Sequence, residues 1–175
     1  PYDKNKFSRA VERIRLLTVK DPEEFIPEMR SLCSKAGVAL ALIPEMKKVP
    51  WNGATRWLSA AKAMILLNLR GKTEDQFWFS FFHEAGHTLH DSKKDVYIND
   101  GSRNDPRESK ADKFAAETLI PNDLEQKISI LRSGEDIKKI GKKLKISPGI
   151  VVGRYQHLTQ KWSRFNNLKR KFKWI

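Results

Sequence analysis

His83, Glu84 and His87 are the residues of this 175-residue chain whose types and spacing most plainly suit chemistry, in the run Phe82-His83-Glu84-Ala85-Gly86-His87. On a helix, two histidines four apart share a face. Four residues rise about 6 Å along the axis, so both imidazoles can converge on one ion. Glu84 lies about 100° round the helix from His83. From there it can serve a water at the metal without being a ligand. An H-E-x-x-H run of this kind points to zinc-assisted peptide hydrolysis, with Glu84 as the catalytic glutamate. The plainer alternative is two surface histidines flanking an exposed glutamate.

Catalytic zinc takes three protein ligands and keeps a position open. Glu108 is the best candidate for the third. Asp105-Pro106 starts a helix, with aspartate at the N-cap and proline at the first position. That helix stops before Pro121. Glu108 and Asp112 are four apart on it and share a face, while Ala111, Phe114, Ala115 and Leu119 supply an adjoining apolar one. Glu108 would ligate the metal. Asp112 would accept the N–H of a ligand histidine, most simply His83, and fix its tautomer. Read alone, Glu108 is also the third-position glutamate of an ordinary capping box, and Asp112 a solvated charge.

The elements that position these residues follow from local pattern. Thr73-Glu74-Asp75-Gln76 reads as a capping box opening a helix from about Glu74 to about Leu89. Phe77, Trp78, Phe81, Phe82, Ala85 and Leu89 form its apolar stripe. Gly86 costs helix stability of about 1 kcal/mol relative to Ala, which suggests a close backbone approach beside His87. Ahead of it, Val38–Ile43, Gly53–Ser59 and Ala63–Leu69 read as strands. Two helices precede them, about Asn5–Val19 and from Asp21-Pro22 to a C-cap at Gly37. The fold class expected is α+β. A small antiparallel or mixed three-stranded sheet packs on a zincin-type active-site helix and a second ligand helix. Gly53–Leu58 is the candidate edge for pairing with a substrate backbone. Asp91–Asp105 reads as a surface loop and a candidate lid.

The run from Phe81 to His90, followed by Glu108-Ser-Lys-Ala-Asp112-Lys-Phe-Ala-Ala-Glu-Thr-Leu-Ile-Pro121, resembles the ImmA/IrrE metallopeptidase family. The family pattern is H-E-x-G-H, then E-x-x-A-[DN]-x-F-A with a tail ending in proline. The resemblance covers about Gly37 to Asp123. It implies His83, His87 and Glu108 as ligands of Zn²⁺, and Glu84 as the catalytic residue. Gly53–Leu58 and Ile146–Arg154 further resemble a subgroup in which this domain follows an N-terminal helix-turn-helix, in HigA-like antitoxin and regulator proteins. The activity implied is a zinc metalloendopeptidase that cleaves or regulates a repressor or toxin-like partner in a stress, phage or toxin–antitoxin system. The alternative is an antitoxin or transcriptional regulator whose peptidase-like domain binds a partner or ligand without turnover. The chain begins at Pro1 with no Met, as a domain cut from a longer protein would.

Composition bounds the rest. The single cysteine, Cys33, excludes an internal disulfide and suits a reducing cytoplasm, the expected location. It falls on a helix's apolar side. No apolar run is long enough to span a bilayer. Charge divides the chain. Residues 1–134 carry 22 basic and 19 acidic side chains, and residues 135–175 carry 12 and 2. The expected organisation is accordingly a zincin-like domain over 1–134, its N-terminal helices at 1–36, and a basic helical extension over 135–175. Asp136–Val151 has helix-turn-helix character, with Lys145 where glycine is common in the turn. The tail interleaves Trp162, Phe165, Phe172 and Trp174 with lysine and arginine. DNA is thus a possible partner, through this basic segment or through an N-terminal helix-turn-helix absent from the chain. Docking of the aromatics on the core is the competing expectation. For the group that assists the metal in polarising a carbonyl, His90, Tyr97, Tyr155 and His157 are the candidates.

Overall fold

The computed structural model describes residues 1–44, 52–68, 73–91 and 105–172, and the backbone of 96–98. The helix α1 (Lys4–Leu16) starts where the Asp3 side chain accepts the Lys6 N–H, and it runs into a 3₁₀ turn at Leu17–Val19. The helix α2 (Pro22–Lys35) has proline at its start. Gly37, at a φ of 77°, then turns the chain into β1 (Val38–Ile43). Next come β2 (Gly53–Ser59), β3 (Lys62–Asn68), α3 (Glu74–His90), β4 (Val96–Ile98) and α4 (Pro106–Leu119). A short α5 (Glu125–Ser129), α6 (Gly134–Leu144) and α7 (Pro148–Thr159) complete the helices. Four of the expected elements, α1, α2, α3 and α4, fall where capping and periodicity placed them.

The class is α+β, and the sheet is mixed. β1 lies parallel to β3, and β2 antiparallel to β3. β4 adds three residues antiparallel to β2, giving the order β1-β3-β2-β4. This corrects the reading of Gly53–Leu58 as a sheet edge. Ala54, Thr55 and Arg56 already pair with Ile98, Tyr97 and Val96, so β2 is interior there and β4 is the outer strand. It also corrects the reading of Asp91–Asp105 as loop throughout. The rest of the candidate lid, and the Tyr97 side chain, lie outside the described residues.

One apolar core joins the helices to the sheet. Phe7, Val11 and Ile14 of α1 pack with Phe25 and Met29 of α2, Ile65 and Leu67 of β3, and Trp78, Phe81 and Phe82 of α3. Cys33 is fully buried in this core, and burial pushes its thiol up to about 12, so it is an inert packing group. Arg15 closes two helix ends at once. Its guanidinium donates to the carbonyls of Thr118 and Leu119, at the end of α4, and of Leu144, at the end of α6. Those carbonyls have no partner within their own helices.

The same core continues through Ile137 and Ile140 of α6 and Ile150, Val151 and Val152 of α7, and ends in the tail at Phe172. Lys145 takes the left-handed conformation between α6 and α7, at the position where glycine was expected to be common. Phe172 packs against Phe25 and Phe77, and Phe165 against Tyr155, so these tail aromatics are docked. Trp174 lies outside the described residues.

The tail also replaces the expected cap of α3. Thr73 does stand at the N-cap, but its hydroxyl makes no capping bond. Lys171 instead pairs with Thr73 as an isolated bridge, and the Glu74 N–H donates to the Arg170 carbonyl. Glu74 is fully buried, and Arg170 holds its carboxylate through Nε at 2.7 Å and through its backbone N–H at 3.0 Å. The same guanidinium reaches the carbonyls of Thr18 and Lys20 and the Asp21 side chain. Lys169 meets Asp75 and Gln156. Breaking a buried ion pair from one side leaves an uncompensated charge, at a cost of about 3–5 kcal/mol. Arg170→Ala should lower unfolding stability by about that much in chemical denaturation, and adding Glu74→Gln should recover part of the loss. An Arg170→Ala change below about 1 kcal/mol would show that the strap does not hold the helix.

Candidate metal centre

The site is built where α3 and α4 press together. Gly86 makes the approach possible, since a Cβ there would lie 3.1 Å from the Phe114 ring and 3.3 Å from the Ala111 Cα. A larger residue would push α4 away and take Glu108 with it. Asp105 caps α4 by accepting the Arg107 N–H, which fixes the start of the helix and the place of Glu108 one turn in.

With the helices at this distance, three ligand atoms converge. The Nε2 atoms of His83 and His87 lie 3.1 Å apart. One Glu108 oxygen is 3.1 Å from His83 Nε2, and the other 3.1 Å from His87 Nε2. Both imidazoles are buried, whereas Glu108 is partly exposed. The sequence-derived trio is therefore brought together at contact distance.

The outer nitrogens decide what this cluster needs. His83 Nδ1 faces Asp112 at 2.8 Å, the pairing expected from the four-residue spacing on α4. His87 Nδ1 faces Asp91, which closes the last turn of α3. An ionised carboxylate only accepts, so each Nδ1 donates. Each neutral ring then turns its Nε2 lone pair inward. Two lone pairs and a carboxylate at 3.1 Å repel unless positive charge lies among them. Protons can supply it in part. Burial opposes a charge on His83, yet the hydrogen bond to Asp112 and the charges of Glu84, Asp112 and Glu108 raise its pKa. A divalent cation supplies it in full, and His83, His87 and Glu108 are the group able to hold one among the described residues.

Glu84 stands beside this cluster in a different setting. Thr55 of β2, fully buried, donates to Glu84 Oε2 at 2.7 Å. Glu84 Oε1 is buried with no hydrogen-bond partner. Gly53 lies against the same carboxylate, where a Cβ would come within 2.7 Å of it. Burial raises the Glu84 pKa from the ordinary 4.5 to about 7, with the Thr55 bond and His83 pulling down and Glu108 pushing up.

The sequence profile of the IrrE N-terminal-like domain, Peptidase_M78, matches residues 42–156, more than half of the chain. The chain belongs to the IrrE N-terminal-like domain family. No curated protein matches it. The matched span of the IrrE-like domain runs from the end of β1 through the sheet, α3 and α4, and into α7. It thus contains the whole cluster. The family is one of metallopeptidase-like domains, and the His-His-Glu cluster suits the metal ion such a domain uses. Among the described residues, no helix of this IrrE-like chain is long and apolar enough to cross a membrane.

Other expected residues fall elsewhere. His90 is exposed at the end of α3, with its ring edge-on to Phe114. Tyr155 is buried against Phe165. His157 lines a groove between α3, α4 and α7. Three residues of the site were not anticipated: Asp91, Thr55 and Gly53. Asp91 carried a signal, because it lies four residues after His87 on the same helix face. Thr55 and Gly53 carried none, because only the sheet brings them to Glu84.

The Glu84 environment gives a pH prediction for the metal-free protein. Below the ordinary 4.5 the group is protonated both folded and unfolded, and costs nothing. As pH rises towards about 7, the unfolded chain ionises first and folding stability falls. Above about 7 the full penalty applies, on the order of 3 kcal/mol for this shift. Glu84→Gln cannot ionise. In chelator, urea denaturation should find the variant more stable than wild type at pH 8 and the two converging towards pH 4.5. A stability difference that does not change with pH would contradict the buried carboxylate.

Proposed function

We propose that this chain is the catalytic domain of a zinc-dependent metalloendopeptidase. The observation that carries the reading is the convergence of His83, His87 and Glu108 beside the buried, partly unpartnered carboxylate of Glu84. Zinc suits the donor set. Two imidazoles and one carboxylate are a common catalytic trio, and nitrogen ligands on tetrahedral zinc at about 2.0–2.1 Å lie about 3.3–3.4 Å apart. The separations of 3.1 Å in the cluster are close to that.

When bound, zinc supplies Lewis-acid polarisation of the scissile carbonyl and acidifies water. The residues of the chain do the rest. Asp112 and Asp91 hold the rings of His83 and His87 by their Nδ1 protons, keeping both Nε2 atoms as donors to the ion. Thr55 occupies Oε2 of Glu84, so the proton taken from water is held on Oε1. Glu84 then returns that proton to the leaving amine. Burial raises the Glu84 pKa in the metal-free site, and the charge of a bound ion would draw it back down, towards the base form that the first proton transfer needs. His90, Tyr97 and His157 stay as proposals for the second group on the carbonyl oxygen. Tyr155 does not, because it is buried against Phe165.

For biological setting, the proposal is a repressor or toxin-like protein substrate in a stress, phage or toxin–antitoxin system, with HigA-like regulators as the natural context. For DNA binding by the basic extension, fewer cations are free than its charge suggests. Lys169 and Arg170, two of its cations, are engaged inward with Asp75 and Glu74.

Metal analysis and proteolysis together test the reading. Wild type should bind about one zinc per chain, and His83→Ala, His87→Ala and Glu108→Ala should each lose it. Asp112→Ala and Asp91→Ala should weaken zinc by about 10–100-fold, as loss of a ligand's hydrogen-bond partner does. Glu84→Gln should keep zinc and fold while losing at least about 100-fold in cleavage of a candidate repressor. Loss of zinc in Glu84→Gln would make Glu84 a ligand and overturn its role. Full zinc occupancy with no cleavage by wild type would favour a regulator that binds its partner without turnover.

A further inference from the structure

The helix that carries Glu84 does not hold its carboxylate. Among the described residues, the hydrogen-bond partner of that carboxylate is Thr55 of β2, on Oε2. A glutamate side chain has several rotatable bonds, so something outside α3 must decide where its two oxygens lie. Gly53 and Thr55 stand two apart on β2 and face the same side of the sheet, the side that meets Glu84. The Thr55 hydroxyl is within reach of two acceptors on that one residue. Oε2 of Glu84 is at 2.7 Å, and the Glu84 carbonyl oxygen at 3.1 Å. A hydroxyl has one proton to give. The Thr88 hydroxyl already donates to the same carbonyl, at 3.0 Å. The Thr55 proton therefore goes to the carboxylate, which makes the shorter, charge-assisted bond. Thr55 thus pins the Glu84 side chain against the helical turn that carries His83 and His87.

Gly53 contributes by what it lacks. A Cβ there would lie 2.7 Å from Cγ and Oε1 of Glu84, and 3.0 Å from Cδ. The backbone does not call for glycine at this position. Gly53 lies within a strand, and Gly37 is the glycine that takes a positive φ among the described residues. Glycine inside a strand weakens it and often marks a close approach. What Gly53 provides is room for the carboxylate, and Oε1, buried without a hydrogen-bond partner, is the oxygen in that room.

We propose that Gly53 and Thr55 are positioning residues for the proton acceptor: Thr55 holds Oε2, and the space at Gly53 keeps Oε1 placed to receive a proton. The proposal rests on the reading of Glu84 as that acceptor, but positioning is measurable without turnover. A double-mutant cycle in chelator reports the contact. In urea denaturation, Gly53→Ala and Thr55→Val should each destabilise the parent, and each should cost markedly less in the Glu84→Ala background. Zinc-loaded protein is then titrated by calorimetry with acetohydroxamic acid and with azide. Acetohydroxamic acid binds a metal as its anion, so its O–H bond breaks and the proton passes to Glu84. Azide arrives as an anion and gives up no proton. Thr55→Val and Gly53→Ala should each weaken acetohydroxamic acid at least about tenfold at unchanged zinc content, as a small misplacement of a reacting group does. Azide should bind both variants as it binds the parent, and Thr55→Ser should restore acetohydroxamic acid. Acetohydroxamic acid bound by both variants as by the parent, or stability losses unchanged by Glu84→Ala, would overturn the proposal. Acetohydroxamic acid bound as tightly by Glu84→Gln as by the parent would remove Glu84 as the acceptor, which is a failure of the underlying reading. Zinc retained with neither probe bound would remove the open position and the peptidase reading, and the stability cycle would still decide whether Gly53 and Thr55 hold Glu84.

Discussion

Two imidazole lone pairs and a carboxylate, held within 3.1 Å of one another in a largely buried place, are the constraint on which this structure turns. Such an arrangement is repulsive by itself. It persists because the helices that carry the groups are fixed from outside. α3 and α4 meet at Gly86 and Ala111, Arg15 closes the far end of α4, and the tail strap closes the start of α3. The fold therefore holds together a set of groups that positive charge among them would stabilise. A divalent ion would supply that charge, and its binding would then be linked to the stability of the folded chain.

The two carboxylate–histidine pairs divide the work by helix. Asp112 reaches across from α4 to His83, so this contact also reports the spacing of the two helices. Asp91 caps the helix that carries His87, so this pair needs only the helix's last turn. Glu84 is different in kind. Its surroundings penalise the charged form, and Gly53 and Thr55 of a central strand shape that penalty. The candidate ligands are thus set on helices, while burial raises the Glu84 pKa and Thr55 of the sheet draws it partly back.

What was legible in the sequence was local. The four-residue spacings of His83 with His87 and of Glu108 with Asp112 put each pair on one helix face, and the structure joins the two faces. Proline and aspartate at the starts of α2 and α4 marked those helices correctly. Long-range pairing was not legible. Three residues, Val96–Ile98, in a polar stretch cover β2, and no periodicity announces so short a strand. Thr73 had the letters of a cap, but a chain segment almost a hundred residues later takes its place. Glu74 looked like a first-turn surface charge, and it is buried because Arg170 reaches it. In each case a distant partner overrode a sound local rule.

The central claim is that the inward nitrogens of His83 and His87 and the carboxylate of Glu108 bind one ion. X-ray absorption at the zinc edge of the stoichiometrically loaded protein tests it directly. A first shell of two imidazole nitrogens with carboxylate and water oxygens in wild type, with that zinc signal lost in His87→Ala, is the predicted result. A shell of oxygens alone, or one with two imidazoles still present in His87→Ala, would contradict the account.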